Sequence, residues 1–511
     1  MRKELSTKNI ITSIVLNIFT ILLGFIAQSI FIKTLGIEYS GINGLFMNLV
    51  SVLALVELGI GPAIIYSLYK PIAYNEIEKI KSLLNLYKKS YNIISIIILI
   101  LGIMILPFLK TIVNFQTKES IYIIFILFIF DAMISYLFTY KRSLIQANQK
   151  NYIINIIHSI YVVILNLLQI VILINTNNYI LYLMLKIICK FIENIILSTI
   201  ADKLYPFIKQ KNIHKLEQEE FNSIKTRVKG IIFHKLGSVI VLGTDSLIIS
   251  LTRNLGIAYV GIYSNYNLII SSVSNLLGQV FVSLTASIGN LLVKESIEYS
   301  YDLFKKIMFF NFWIYGLAGT LIFNLIKPFI ILWIGNEYLL SNSIVVVLII
   351  NFFLLGMRAS IGAYKDASGI YWEDRFVPII ELIVNVIISI VLVNKIGLIG
   401  IFIAKFLSSI IVNFISLPYF VYKGIFKRNI YEYNMILVKY TIVFIISIIF
   451  SNYLCKLYIL NNLYITILLN FIITCLIVNL IYWIIYRKSE EYNYFKSLVL
   501  KILKKLKLVK N

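Results

Sequence analysis

From Ile10 to Ile485 the sequence is built of apolar runs near 20 residues long, and this recurrence limits what the chain can fold into. A helix rising 1.5 Å per residue needs about 20 apolar residues to cross the hydrocarbon core of a bilayer. Charged residues make up only 14% of the chain and hydrophobic ones 59%, whereas a soluble domain carries about 25% charged residues. A soluble fold is excluded. The pattern predicts an all-α polytopic membrane protein of about fourteen transmembrane helices. Hydropathy places them near 10–32, 43–69, 91–109, 120–140, 152–174, 178–200, 230–252, 259–292, 307–326, 343–364, 376–394, 397–418, 437–455 and 463–486. The run 259–292 is long for one crossing, which implies a tilt or an extension past the bilayer.

Arg2, Lys3 and Lys8 precede the first run, which is too long for a signal peptide and lacks a small-residue cleavage site, so it reads as a span. Cys189, Cys455 and Cys475 are far apart and lie in or beside apolar runs; they predict packing rather than a disulfide framework or a metal cluster. The net charge of +23 would suit nucleic acid, but the basic residues cluster between spans, where retention of positive loops inside the cell explains them. No nucleic-acid partner is expected. With a cytoplasmic amino terminus, inner segments hold 35 Lys and Arg residues, whereas outer segments hold seven: Lys33, Lys110, Lys118, Arg253, Lys327, Lys395 and Lys456. That asymmetry predicts both termini in the cytoplasm. The abundance of Ile, Asn, Lys and Tyr points to an AT-rich genome and a bacterial cytoplasmic membrane.

The longest hydrophilic stretch, 201–229, reads as a cytoplasmic linker between a six-helix bundle over 1–200 and another over 230–420. Two further helices over 421–486 and a basic cytoplasmic tail over 487–511 complete this division. Leu35-Gly36-Ile37, Tyr39 and Gly41-Ile42 recur as Leu255-Gly256-Ile257, Tyr259 and Gly261-Ile262, offset by 220 residues. Each copy follows the first helix of its half, as a parallel duplication requires.

Five basic residues remain within the spans, Lys186, Lys190, Lys235, Arg358 and Lys405, with five acidic ones, Glu57, Asp131, Glu193, Asp245 and Glu381. A charge at the bilayer centre costs about 3 kcal/mol on insertion scales, so each should face a bundle interior, a partner or water. Lys235 and Glu381 fall within about two turns of a cytoplasmic helix end, where a long side chain can reach the interface. Lys186 and Lys190 lie about 12 to 18 Å into their helix at i and i+4, on one face, so their ammonium groups repel. Glu193 can neutralise only one of them. The other calls for an acidic partner on another helix, Asp131 or Glu57, or for an anionic ligand. Arg358 and Lys405 offer similar charge in the second half, and a guanidinium can chelate a pair of phosphate oxygens. Asp131, Glu57 and Asp245 are deep carboxylates that suit either a coupling H+ or Na+ or the role of counter-ion to these bases. His158 and His234 also lie in spans and read as packing residues before proton relays.

Gly59, Gly61 and Pro62 permit a bend in the second helix, which reads as a gating hinge or as close packing through the glycines. There is no G-x-x-x-x-G-K-[ST] loop for nucleotide phosphates, no H-E-x-x-H and no C-x-x-C. No cofactor and no enzymatic activity are expected, and transport would draw on an ion or substrate gradient.

Five segments, taken in order, carry a resemblance: Glu57-Leu58-Gly59-Ile60-Gly61-Pro62-Ala63, Thr244-Asp245-Ser246, Tyr263-Ser264-Asn265-Tyr266, Thr285-Ala286-Ser287-Ile288-Gly289-Asn290, and the stretch Asp366 to Arg375. With the helix count, they make the chain resemble the polysaccharide biosynthesis, or Wzx-type, lipid-linked oligosaccharide flippases of the multidrug, oligosaccharidyl-lipid and polysaccharide exporter superfamily. The resemblance implies two six-helix bundles around a central cavity that opens alternately to the two membrane faces. It implies as substrate an undecaprenyl-pyrophosphate-linked repeat unit, flipped outward for capsule, O-antigen or exopolysaccharide assembly, with a polysaccharide polymerase or another assembly protein as candidate partner. Lys186, Lys190, Arg358 and Lys405 would face the pyrophosphate. The competing readings are a cation-coupled multidrug exporter and an integral-membrane polysaccharide polymerase or glycosyltransferase. The loop from Asp366 to Arg375 reads either as a solvated acidic turn or as an inner gate.

Overall fold

Every apolar run predicted from the sequence falls on helix. The structure, a computed structural model, describes residues 2–57, 59–210, 216–370, 373–457 and 462–505, and within these the side chains other than 2–18, 227, 229–243, 286, 498–499 and 501–505. Among the described residues all regular structure is helical. Among the same residues ten helices are long and apolar enough to cross a membrane, or eleven if the bent pair Ile121–Tyr136 and Thr139–Ala147 makes one span. The chain is a multi-pass membrane protein, and among the described residues length and composition alone yield fewer spans than the fourteen expected. Part of the shortfall is chemical: the helix Tyr179–Leu204 carries Lys186, Lys190 and Glu193 within its apolar run.

Several expected spans are interrupted. The second comprises the helix Ile37–Leu53, a 3-10 turn Ala54–Glu57 and a new helix Ile60–Ala73. The restart follows Gly59, whose φ of 79° lies in the left-handed region open to glycine. Pro62 sits in the first turn of the new helix, where its missing N–H forfeits no intrahelical bond. The fourth span bends by 44° at Phe138, itself left-handed at φ 63°. The twelfth passes through stretches of wider π winding at Ser409–Asn413 and Tyr422–Phe426. Asn178, Ser296 and Asn462 cap the helices that follow them, each side chain accepting a bond from a first-turn N–H.

The chain forms two compact units, Met1–Ser264 and Asn265–Asn511, parted within the helix Gly256–Lys294. The first unit contains both copies of the repeated motif, and they touch. A Cβ added to Gly41 would stand 3.0 Å from the Gly261 nitrogen and closer still to the Ile257 carbonyl oxygen. A Cβ on Gly261 would stand 3.0 Å from the Gly41 nitrogen and closer still to the Ile37 carbonyl oxygen. Gly44 faces Ser264, its own counterpart at the 220-residue offset. Equivalent residues thus exchange equivalent contacts about a local two-fold axis, with small residues bringing the two backbones together.

In the second unit the helices Ile430–Leu457 and Leu463–Tyr486 pack along Ile297–Trp333. Aromatic rings fill one part of the seam: Phe312 stacks on Tyr440 at 4.4 Å and meets Tyr482 at 4.6 Å. Hydrogen bonds tie another part, where the Asn324 amide donates to Ser451 Oγ and Thr474 Oγ1, each at 2.9 Å. Side-chain bonds between membrane helices average about 0.6 kcal/mol. Asn324→Leu should therefore lower stability by about 1 to 2 kcal/mol, read as a shift in unfolding midpoint in detergent, and an unchanged midpoint would discount this tie. Cys455 lies buried in the same seam, 3.8 Å from Thr474 Oγ1, and all three cysteines are free thiols.

The expected tail carries a helix, Glu490–Lys505, that packs against Ile297–Trp333 with Phe495 stacked on Phe310 at 5.0 Å. Outward faces are apolar: Ile442, Ile446, Ile449 and Phe450 are exposed on one helix whose Ser447 and Ser451 are buried. That distribution, greasy outside with the two serines bonded to carbonyls of their own helix within, suits lipid as the solvent.

Candidate functional site

Helical geometry decides which way the intramembrane charges of the first unit point. On Tyr179–Leu204, Lys186 and Lys190 share a face with the buried Tyr179, Leu183, Glu193 and Leu197, while Met184, Ile188 and Ile195 are exposed on the opposite side. The lysines therefore turn away from lipid. Lys186 Nζ lies 2.9 Å from Asp131 Oδ2 on the helix Ile121–Tyr136, and 5.4 Å from the centre of the Phe128 ring. Lys190 Nζ lies 2.7 Å from Glu193 Oε2 and 5.1 Å from the centre of the Tyr161 ring. The second acidic partner that the sequence called for is Asp131, not Glu57.

Glu193 has a side chain with no exposed surface, and its other oxygen, Oε1, lies 2.9 Å from His158 Nδ1. His158 shares a helix face with buried Ile154, Leu165 and Gln169, at separations of four, seven and eleven residues. Its side chain is nonetheless 46% exposed. A residue on the packed face can be exposed only where the helices leave space, so His158 stands at a gap on that face, with the carboxylate of Glu193 enclosed behind it. His158 thus belongs to the charged cluster rather than to simple packing. Only its helix-face position could have signalled this, because its partner is 35 residues away. His234 and Lys235 have side chains outside the described residues.

Glu57 serves a different cluster. It accepts a 2.5 Å bond from the Tyr91 hydroxyl, and the Tyr91 ring packs on Tyr87 at 4.4 Å and Tyr136 at 5.4 Å. A Cβ on Gly61 would stand 2.8 Å from Glu57 Oε1 and 3.0 Å from the Tyr87 hydroxyl, so this glycine lets the cluster close over the helix. The expected hinge is a helix break at Gly59 joined to a tight contact at Gly61. Asp245 is 1% exposed, with the Tyr263 hydroxyl 3.4 Å away, which joins two segments of the resemblance. Neighbouring Ser246 Oγ accepts from Asn48 Nδ2 at 2.7 Å.

In the second unit Glu381 stands 3.6 Å from Arg358 Nη1 and is half-buried, so it has an intramembrane partner and no need to reach the interface. Lys405 is half-buried on Leu398–Ser408. The loop from Asp366 to Arg375 is tied down, since Asp374 is buried and pairs with Lys365; Leu58, Tyr371 and Trp372 of the resemblance segments lie outside the described residues. One pair escaped the sequence reading: Lys141, counted with a cytoplasmic loop, is half-buried against Asp202 and Ser198 Oγ, each at 2.8 Å. Among the described residues no group of three or more His, Cys, Asp or Glu could hold a metal ion.

No protein-family model and no curated protein matches the sequence. Solved structures do match, and they define the class by fold: a helical membrane architecture shared by lipid-linked flippases and multidrug exporters. A lipid II flippase, MurJ, in its inward closed conformation matches with a TM-score of 0.65 over 94% of this chain and 99% of its own, at 16% identity. A variant of the Vibrio cholerae MATE transporter VcmN gives 0.59 over 84% of this chain and 99% of its own, at 15% identity. An inward-facing multidrug resistance MATE transporter of the MOP superfamily gives 0.58 over 78% and 96%, at 15% identity. At such identity the likeness is one of fold.

Proposed function

We propose that this chain is a secondary transporter that flips an undecaprenyl-pyrophosphate-linked oligosaccharide from the inner to the outer leaflet of a bacterial cytoplasmic membrane. The observation that carries this reading is the pair of lysines on the packed face of Tyr179–Leu204, each held by its own carboxylate beside an accessible histidine. The four side chains sum to zero formal charge, so the site can rest in the membrane without a ligand. A pyrophosphate entering it would take the place of the carboxylates on Lys186 and Lys190, with charge-assisted bonds of the same kind. Asp131 and Glu193, released from their ammonium partners, would then take up protons, which links passage of the anion to an H+ gradient. The acyl chain would remain in lipid.

The fold shared with a lipid II flippase is in keeping with a lipid-linked passenger, and a MATE-like fold is equally in keeping with a drug. Reconstitution separates them. Proteoliposomes should translocate the pyrophosphoryl-linked oligosaccharide, and Lys186→Met combined with Lys190→Met should reduce the rate at least about a hundredfold, as loss of two charge-assisted contacts requires. Protein that moves no such lipid under any gradient, but lowers cationic drug accumulation in a sensitive host, would overturn the flippase reading in favour of the exporter.

A further inference from the structure

On the cytoplasmic end of the first unit a second basic site stands apart from the intramembrane charges. A cavity of about 110 Å³ is lined by Lys81, Leu84, Asn85, Lys88, Tyr140, Ile208 and Gln210. The first four occupy positions i, i+3, i+4 and i+7 of Ile77–Ile105 and so form one stripe. Tyr140 comes from Thr139–Ala147, and Ile208 belongs to the turn Pro206–Lys209. Three segments remote in sequence thus build one recess.

Its chemistry is one-sided. The lining offers two ammonium groups, two carboxamides and a phenol, and no carboxylate. Lys81 forms the floor, its side chain only 4% exposed and bonded at 2.7 Å to Glu78 Oε1 on the exposed side. Lys88 is exposed at the mouth, 5.8 Å from the centre of the Tyr140 ring. A ring of donors with one charge offset and one free to engage a ligand suits a tetrahedral oxyanion. A water molecule claims roughly 30 Å³ of liquid, so the recess has room for a phosphate group and part of its ester. Depth narrows the source. The apolar run of this helix begins at Tyr91, which at 1.5 Å per residue puts Lys88 about 4.5 Å below the hydrocarbon, within a headgroup layer about 5 to 7 Å thick, and Lys81 about 15 Å below it, so the mouth of the recess lies at the headgroups and its floor lies beyond them.

We infer that Lys81, Asn85, Lys88, Tyr140 and Gln210 form a phosphate-ester site at the cytoplasmic membrane surface, filled by the headgroup of an anionic glycerophospholipid. Basic pockets between helices on the cytoplasmic side bind such headgroups. The occupied site would bridge the helix Ile77–Ile105 to the turn after Tyr179–Leu204 and so fasten the cytoplasmic end of the helix that carries Lys186 and Lys190. The site stands independently of the flippase reading.

Thermal unfolding of the full chain in detergent, titrated with phosphatidylglycerol, phosphatidylcholine or soluble glycerol 3-phosphate, tests it. Phosphatidylglycerol should raise the midpoint and phosphatidylcholine should not. Lys88→Gln should weaken the apparent affinity about tenfold, Asn85→Leu should weaken it as well, and Lys395→Gln in the second unit should leave it unchanged. Equal effects of the two lipids, or a full response in Lys88→Gln, would overturn the site. A response to glycerol 3-phosphate that matches the lipid and is lost in Lys88→Gln would keep the phosphate-ester chemistry and overturn its assignment to the bilayer.

Discussion

Replacing Gly41 with leucine should prevent the first unit from closing, and even Gly41→Ala should destabilise it by about 1 to 3 kcal/mol. The reason is what the added carbon meets. Its neighbours are the Ile257 carbonyl oxygen and the Gly261 nitrogen, both backbone atoms, so no side chain can rotate aside and the helices themselves must separate. Separation opens the contact along its length, because dispersion falls steeply within an ångström of lost approach. The local symmetry provides an internal control: Gly261→Ala, which meets the Ile37 carbonyl oxygen and the Gly41 nitrogen, should have nearly the same effect. Gly24, with nothing within 4 Å of an added Cβ, should accept alanine without loss. Unfolding midpoints of the three variants in detergent check this. A wild-type midpoint for Gly41→Ala would mean that the two backbones do not meet as described.

The second large effect is expected at Glu193. Removing one partner of a buried ion pair costs about 3 to 5 kcal/mol, since the remaining charge loses its compensation. Glu193→Leu leaves Lys190 without its carboxylate and His158 without its hydrogen-bond partner. Lys190 keeps some exposure and the face of Tyr161, so the loss should fall near about 3 kcal/mol, a large part of the 5 to 15 kcal/mol typical of a folded domain. The double replacement Lys190→Met with Glu193→Leu should recover most of it, because an apolar pair needs no compensation in this setting. Glu193→Gln, which keeps hydrogen-bonding capacity but no charge, should fall between. A double variant no more stable than Glu193→Leu alone would remove the ion pair as the cause. Transport gives a separate readout: the double variant should fold and yet flip about tenfold more slowly, because it lacks one of the two lysines assigned to the pyrophosphate.

Helix placement was legible in the sequence because the property that sets it is local. An apolar run either is or is not long enough to satisfy hydrocarbon, and no distant residue changes that. The interior placement of Lys186 and Lys190 was legible for a related reason, since helical periodicity and the penalty for charge in lipid both act within one segment. Interruptions were harder to read. The bend at Phe138 has no glycine or proline to announce it, and the restart after Gly59 could be read from composition only as freedom to bend.

What only the tertiary structure decided is the company each charge keeps. Asp131 meets Lys186 across 55 residues of sequence, Glu193 meets His158 across 35, and Glu381 meets Arg358 where its place near a helix end suggested the interface. An ion pair forms over a few ångströms between helices whose rotation is set by the packing of every other side chain, and hydropathy carries no record of that rotation. The repeated motif marks the boundary between the two kinds of knowledge. The sequence by itself determined that Gly41 and Gly261 are equivalent, while the fold alone decided that they touch, because a contact depends on how two helices cross and a repeat records only that they are alike.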